Sequence, residues 1–139
     1  MTDRDLIALA LKAREMAYTP YSHFKVGAAL QAKDGSVYRG CNIENAAFTP
    51  TNCAERTAFF KAVSDGVREF TAIAIVGAPD STSADQFGFA YPCGVCRQVM
   101  QEFCDPKTFR VIVACSEEDY RTYVLEELLP HGFGPQDVL

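Results

Sequence analysis

The chain lacks three features that would point to a nucleic-acid-binding, membrane or repeat protein: a basic run, a long apolar run and an internal repeat. Its net charge is −5 and its lysines and arginines are scattered, so nothing electrostatic favours binding to nucleic acid. No apolar stretch approaches the roughly 18 residues of a membrane span, and residues 1–5 lack the pattern of a signal peptide. We therefore expect a cytoplasmic protein, with no membrane partner, that acts on a small uncharged molecule.

The composition that remains is globular. The 139 residues are 48% hydrophobic and 22% charged, which suits a single domain with its own core, assigned here to residues 1–139. In a reducing compartment, cysteines serve as metal ligands or small buried side chains rather than as disulfides. Six are present: Cys41, Cys53, Cys93, Cys96, Cys104 and Cys115.

Hydrophobic periodicity predicts an α/β fold with one mixed sheet covered by helices. A third helix begins at Pro92, with Val95, Val99 and Phe103 on its apolar stripe. The four-residue link at 116–119 permits only an antiparallel return, so the chain ends in a β-hairpin and a short helix. The helices are predicted at 2–17, 53–65, from 92 to before 105, and 125–129; the strands are predicted at 24–31, 36–43, 71–77, 109–115 and 120–124.

Cys53, Cys93 and Cys96 form a candidate metal site. Cys93 and Cys96 are separated by two residues at a predicted helix start, so both sulfur atoms can reach one ion. The positive end of that helix favours their thiolate forms, and Cys53 supplies a third sulfur from another helix start. Three thiolates suit Zn²⁺ and leave a fourth position for water, which is the catalytic rather than the structural arrangement.

Two other uses of these cysteines remain open. A redox pair at Cys93 and Cys96 would leave Cys53 without a role. A structural four-cysteine site would need Cys104 or Cys115. Cys104 is two helical turns from Cys96, about 12 Å away, and Cys115 is predicted in a buried strand, so we favour the catalytic site.

Glu55 follows Cys53 by two residues and has two interpretations. With Asn52 it could complete a capping box that only stabilises the N-terminus of the helix. Beside an open zinc position it would instead shuttle protons, from zinc-bound water to a ring nitrogen and then to the departing amine. The metal lowers the pKa of that water towards about 7. Three thiolates exceed the charge of Zn²⁺, and we expect Arg56, rather than Arg97, to compensate them.

Two further stretches are candidates for substrate contacts. Asn42 and Glu44 lie two residues apart near the end of a strand and therefore face the same way. An amide and a carboxylate placed side by side could hold two sugar hydroxyls, although an exposed polar strand edge would show the same pattern. Residues 78–91 form the long irregular stretch of the chain, and their aromatic residues argue against a fully solvated linker.

The runs NIENAA (42–47), CAERTA (53–58) and PCGVCRQV (92–99) resemble those of the small cytidine deaminases. They agree in order, spacing and flanking residues, and the likeness extends over nearly the whole chain. Their cysteines and glutamate correspond to the zinc-deaminase signature in its three-cysteine form.

The resemblance implies a three-layer α-β-α sandwich with a five-stranded mixed sheet. It implies hydrolysis of cytidine and 2′-deoxycytidine to the uridines and ammonia in pyrimidine salvage, by a Zn²⁺-dependent homotetramer whose sites are completed across subunits. By this likeness Asn42 and Glu44 hold the ribose and Phe24 packs against the pyrimidine. The Ala54 backbone fixes the base carbonyl, and Phe133 reaches into a neighbouring site.

Two departures from the family pattern leave the substrate preference open. Phe48 stands where the family often has tyrosine, and Tyr91 stands where it usually has a small residue. A blasticidin S-type deaminase shares the cysteine motifs and is the alternative enzyme, although Asn42 with Glu44 favours the nucleoside enzyme. A non-catalytic zinc-stabilised binding module is the alternative of another class, and such a module would have no use for Glu55.

Overall fold

The computed structural model describes all 139 residues and has a five-stranded mixed sheet at its centre. The strands run in the order β2-β1-β3-β4-β5, in which only the β3–β4 pair is parallel. The predicted C-terminal antiparallel hairpin, β4–β5, is therefore confirmed. The strands are β1 (Phe24–Ala32), β2 (Val37–Cys41), β3 (Phe70–Pro79), β4 (Arg110–Ala114) and β5 (Tyr120–Val124); the helices are α1 (Asp3–Arg14), α2 (Ala54–Ser64), α3 (Gly94–Phe103) and α4 (Leu125–Leu128).

Apolar side chains fill both faces of the sheet. Strand β3 directs Ile73 and Ile75 into the core beneath α2, α3 and α4, and its alternating neighbours into a second core beneath α1. A strand that is buried on both faces requires a continuous apolar run, which explains its sequence. The helices therefore form layers on both sides of the sheet, and the predicted three-layer sandwich is confirmed.

Gly40 allows α2 to lie directly on β2. A Cβ atom added there would stand 2.5 Å from the backbone nitrogen of Ala58 and closer still to the carbonyl oxygen of Ala54. Such a separation is not reached by real side chains, so glycine is required by the close approach of the two backbones. This contact fixes the first turn of α2 against the sheet, which is where the candidate site begins.

Several predicted boundaries were wrong by a few residues. Helix α1 starts with the expected capping box at Thr2 but ends at Arg14, because the next amides bond carbonyl groups three residues back. Strand β2 ends at Cys41, since the Asn42 side chain then bonds β1 in place of the regular ladder. Cys115 follows β4 rather than lying within it.

The start and the apolar face of α3 also differ from the prediction. The helix begins at Gly94, with Cys93 as its N-cap and Pro92 before it. Of the predicted stripe, Val99 and Phe103 pack against the core but Val95 is 58% exposed, and the fully buried residues are Cys96, Met100 and Gln101. The prediction for Val95 was wrong because the buried face is set by how α3 meets α2 and α4.

No helix in the structure has the length and apolar character needed to cross a bilayer.

Candidate active site

Three cysteines from two helix starts meet at one point. Cys53 is the N-cap of α2, Cys93 is the N-cap of α3, and Cys96 lies in the first turn of α3. The Sγ atoms of Cys53 and Cys93 are 3.8 Å apart, and those of Cys93 and Cys96 are 3.5 Å apart. The Cys96 backbone amide also donates to the Cys93 sulfur. Both helix N-termini thus direct positive potential towards the sulfur atoms, which favours thiolates.

Arg56 supplies the nearest cation. Its guanidinium donates a hydrogen bond to the Cys53 sulfur at 3.2 Å. The contact with Cys96 and this guanidinium lower the pKa of Cys53 to about 5. The hydrogen bond to Cys53 and burial in turn raise the pKa of the neighbouring Cys96 thiol. Arg97 is engaged elsewhere, since it donates to the carbonyl oxygens of Pro92 and Leu128.

The donor set fits a zinc ion. The three sulfur atoms all lie within 4.8 Å of one another, as they must to share one ion, and thiolates are ligands that Zn²⁺ accepts readily. Neither Cys104 nor Cys115 belongs to this cluster. The structural four-cysteine alternative is therefore wrong. Three protein ligands leave one coordination position of a zinc ion open.

Glu55 is buried beside this cluster. Only 4% of the residue is exposed, and it lines the same cavity as Cys53 and Cys93. Burial raises the pKa of its carboxyl to about 7. Asn52 does not cap α2, since its amide donates to the Thr57 hydroxyl at 3.2 Å. The capping-box interpretation of Glu55 is therefore wrong.

The cavity next to the cysteines has a volume of about 260 Å³ and is mostly apolar. Asn42 reaches it from the end of β2, and its side-chain amide is fixed by bonds to the Val26 amide and the Phe24 carbonyl. An apolar pocket with a few convergent polar groups is the usual form of a small-molecule site. Its lining residues are Phe24, Val26, Asn42, Cys53, Ala54, Glu55, Ile75, Ala90, Tyr91 and Cys93.

Two residues expected at the substrate lie outside this cavity. Glu44 accepts hydrogen bonds from the backbone amides of Tyr21 and Ser22 and lines a different cavity, which Phe48 also lines. Phe133 is 63% exposed in the C-terminal segment, where Gln98 of α3 donates to its carbonyl oxygen at 2.8 Å. Neither side chain is among those that line the cysteine cavity of its own chain.

Four lining residues were not predicted: Val26, Ile75, Ala90 and Tyr91. Val26 belongs to the alternating strand β1 and Ile75 to the continuous apolar run of β3, and neither pattern separates the residues of a cavity from the rest of the core. Ala90 can line the cavity because Gly77 has no side chain: a Cβ atom added at Gly77 would lie 2.9 Å from the Ala90 Cβ. Tyr91 carried one signal, as an unexpected aromatic residue directly before the Pro92-Cys93 motif.

Comparison with known proteins is consistent with this site. Residues 1–114 match the model of the cytidine and deoxycytidylate deaminase zinc-binding region. A cytidine deaminase from Sporosarcina psychrophila is 53% identical over 133 residues, which cover 96% of this chain and 92% of that protein. A blasticidin-S deaminase from Bacillus cereus is less similar, at 33% identity over 129 residues covering 92% and 89% of the two chains.

Solved structures give the same result. The crystal structure of a cytidine deaminase from Burkholderia pseudomallei aligns with a TM-score of 0.85 at 50% identity, covering 96% of this chain and all of that one. These matches confirm the predicted fold class and the predicted enzyme type. The chain therefore belongs to the cytidine and deoxycytidylate deaminase family.

Proposed function

We propose that this chain hydrolyses cytidine and 2′-deoxycytidine to uridine, 2′-deoxyuridine and ammonia, with residues 1–139 acting as one catalytic domain. The observation that carries the proposal is the buried Glu55, which shares a cavity with a cluster of three cysteines. A site with three sulfur ligands and a neighbouring carboxylate suits hydrolysis, in which water must be activated and protons moved.

Cys53, Cys93 and Cys96 would hold Zn²⁺, which when bound lowers the pKa of water from 15.7 towards about 7 and so makes it a nucleophile at neutral pH. Arg56 partly neutralises the excess negative charge of three thiolates through its bond to the Cys53 sulfur. Without that cation the thiolates would weaken the metal as an electron acceptor.

Glu55 moves the protons of the reaction. Its carboxylate accepts one proton from the attacking water and passes it to N3 of the pyrimidine. It then takes the second proton from the hydroxyl group formed at C4 and gives it to the departing amine, which leaves as ammonia. A pKa near 7, raised by burial, suits a group that must both accept and donate at neutral pH.

The apolar cavity suits a neutral pyrimidine base. We assign Phe24 to packing against the ring, the Ala54 backbone to the base carbonyl, and Asn42 to the ribose. Glu44 would bind the other ribose hydroxyl. Its two carboxylate oxygens can accept about four hydrogen bonds, and the Tyr21 amide, the Ser22 amide and the Ser22 hydroxyl occupy three of these positions.

Phe133 lies outside the cavity of its own chain, which supports the proposal that it completes the site of a neighbouring copy in a homotetramer. The acidic net charge of −5 argues against nucleic acid as substrate. All six cysteines are free, in keeping with a reducing, cytoplasmic location.

The blasticidin S-type alternative shares the zinc chemistry but not the sugar-binding pair. It is disfavoured by the lower identity of its relative and by Asn42, whose amide is fixed at the cavity. The binding-module alternative is disfavoured by Glu55, because burying a carboxylate costs free energy that a purely structural site has no reason to accept.

The test is to incubate the zinc-loaded protein with cytidine, deoxycytidine, deoxycytidine monophosphate and blasticidin S while ammonia release is followed. We expect release from the two nucleosides. Release from blasticidin S alone would favour the alternative enzyme. Release from none of the four, with zinc bound, would refute the enzymatic proposal.

A further inference from the structure

The long segment between β3 and α3 is held in place by its aromatic residues. The Arg14 guanidinium lies 4.4 Å from the centre of the Phe87 ring, and the Arg121 guanidinium lies 4.3 Å from that of Phe89. Phe89 also packs against the core beneath α2 and α3, while Phe87 packs against the core beneath α1. Cation–π contacts and burial together give this segment a defined position.

The segment delivers Tyr91 to the cysteine cavity. The Tyr91 hydroxyl is 2.7 Å from the hydroxyl of Tyr123 on β5, and the two ring centres are 5.8 Å apart. Tyr91 also lines the cavity that contains Cys53 and Glu55. Its side chain is therefore tied to the sheet edge, so it cannot move aside from the cavity without breaking that bond.

The chemistry determines how the base is oriented relative to Tyr91. C4 must face the cysteine cluster, where water is activated, and N3 must face Glu55, which protonates it. The other ring neighbour of C4 is C5, so C5 points away from Glu55. By the assignment above, Phe24 covers the ring face. The lining also includes Val26, Ile75, Ala90 and Tyr91, and the last two directly precede the Pro92-Cys93 motif in the chain. This step rests on the function proposed above.

We propose that Tyr91 is a specificity-determining residue that limits the size of the substituent at C5 of the pyrimidine. Tyr123 positions it by the hydroxyl–hydroxyl bond, and the anchored Phe89 prevents the segment from retreating. A 5-methyl group would meet the Tyr91 side chain, whose hydroxyl is bonded to Tyr123, whereas unmodified cytidine carries only a hydrogen at C5. A substrate with a bulky C5 substituent is rejected by packing, without any change in the proton transfer.

The test compares kcat/KM for 5-methylcytidine and cytidine in the zinc-loaded protein and in Tyr91→Ser. We expect the ratio of the two values to rise at least about tenfold in the variant, since one methyl-sized group in a tight pocket changes selectivity by about 10- to 200-fold. Tyr91→Phe keeps the ring but loses the hydroxyl bond to Tyr123, so its ratio should rise less than that of Tyr91→Ser. Tyr91→Leu gives a smaller rise and replaces the serine variant if that variant unfolds.

Tyr120→Ser is the matched control, because Tyr120 lies on β5, as Tyr123 does, but packs against the core beneath α1. Its selectivity ratio should equal that of the unmodified protein. A ratio that changes less than twofold in both Tyr91→Ser and Tyr91→Leu, while cytidine is still deaminated, would overturn this inference alone. Failure of the unmodified protein to deaminate cytidine would instead refute the proposed function.

Discussion

Replacing Glu55 by glutamine separates its chemical role from any structural one. The side chains have the same shape, so the cavity and the three cysteines keep their geometry, but glutamine can neither accept nor deliver a proton. Because the N-cap of α2, Cys53, makes no side-chain capping bond and no capping box forms, Glu55 is not needed to stabilise the start of the helix. We expect Glu55→Gln to fold, to bind zinc as the unmodified protein does, and to lose its turnover.

The loss of activity should be large. Proton transfer by a positioned group contributes about 10²- to 10⁴-fold to the rate, which corresponds to about 3–5 kcal/mol of activation free energy. Glu55 acts in two transfers within one turnover, so the loss of kcat for cytidine should reach the upper end of that range or exceed it. The assay is ammonia release with zinc content measured on the same samples.

The same substitution should change the pH dependence of stability in zinc-free protein. Burial raises the pKa of Glu55 from its ordinary 4.5 to about 7, so folding favours the protonated carboxyl. Stability from this group is full below pH 4.5 and is lost as the pH rises to about 7, by about 3 kcal/mol in total. Glu55→Gln lacks this loss, and urea denaturation between pH 4.5 and 7.5 measures the difference.

Two results would refute this reasoning. A kcat within tenfold of the unmodified value, at full zinc occupancy, would exclude Glu55 as the proton shuttle. A difference in unfolding free energy between the two proteins that stays constant with pH would show that burial does not raise the pKa of this carboxyl.

Three further predictions concern the charge at the thiolates, the contact between α2 and β2, and the role of Phe133. Arg56→Ala should lose zinc at lower chelator concentration and turn over more slowly, because the Cys53 thiolate loses its cation; unchanged zinc content and turnover would contradict this. Gly40→Ala should lower the free energy of unfolding by about 1–3 kcal/mol, whereas Gly88→Ala, whose added Cβ meets nothing within 4 Å, should change it by less than about 0.5 kcal/mol. Phe133→Ala should raise KM for cytidine without unfolding its own chain, since the side chain is 63% exposed there and belongs to neither core; an unchanged KM would argue against its reach into a neighbouring site.

The chemistry of the site follows from local sequence. The spacing of Cys93 and Cys96 at a helix start, and of Cys53 and Glu55 at another, is a property of single helical turns and is therefore visible without a fold. The alternation in β1 and the continuous apolar run in β3 likewise predicted the sheet. Boundaries were less certain, because side chains such as that of Asn42 take over backbone hydrogen bonds where a strand ends.

The contacts between distant segments were decided only by the tertiary structure. Cys53 and Cys93 are forty residues apart and meet because α2 and α3 pack on the same face of the sheet. The same packing turns Arg56, rather than Arg97, towards the thiolates. It also buries Glu55, although the local sequence alone equally permitted a helix cap.

The segment before Pro92 shows the same difference between what the sequence determined and what the tertiary structure decided. Its sequence showed an irregular, aromatic-rich stretch but not which side chains would be anchored. Its position depends on Arg14 and Arg121, one from the first helix and the other from the last strand, and on the Tyr123 hydroxyl. Periodicity and motif spacing record which chemical groups a chain carries, whereas close packing of distant backbones determines which of them meet, as at Gly40 beneath the first turn of α2.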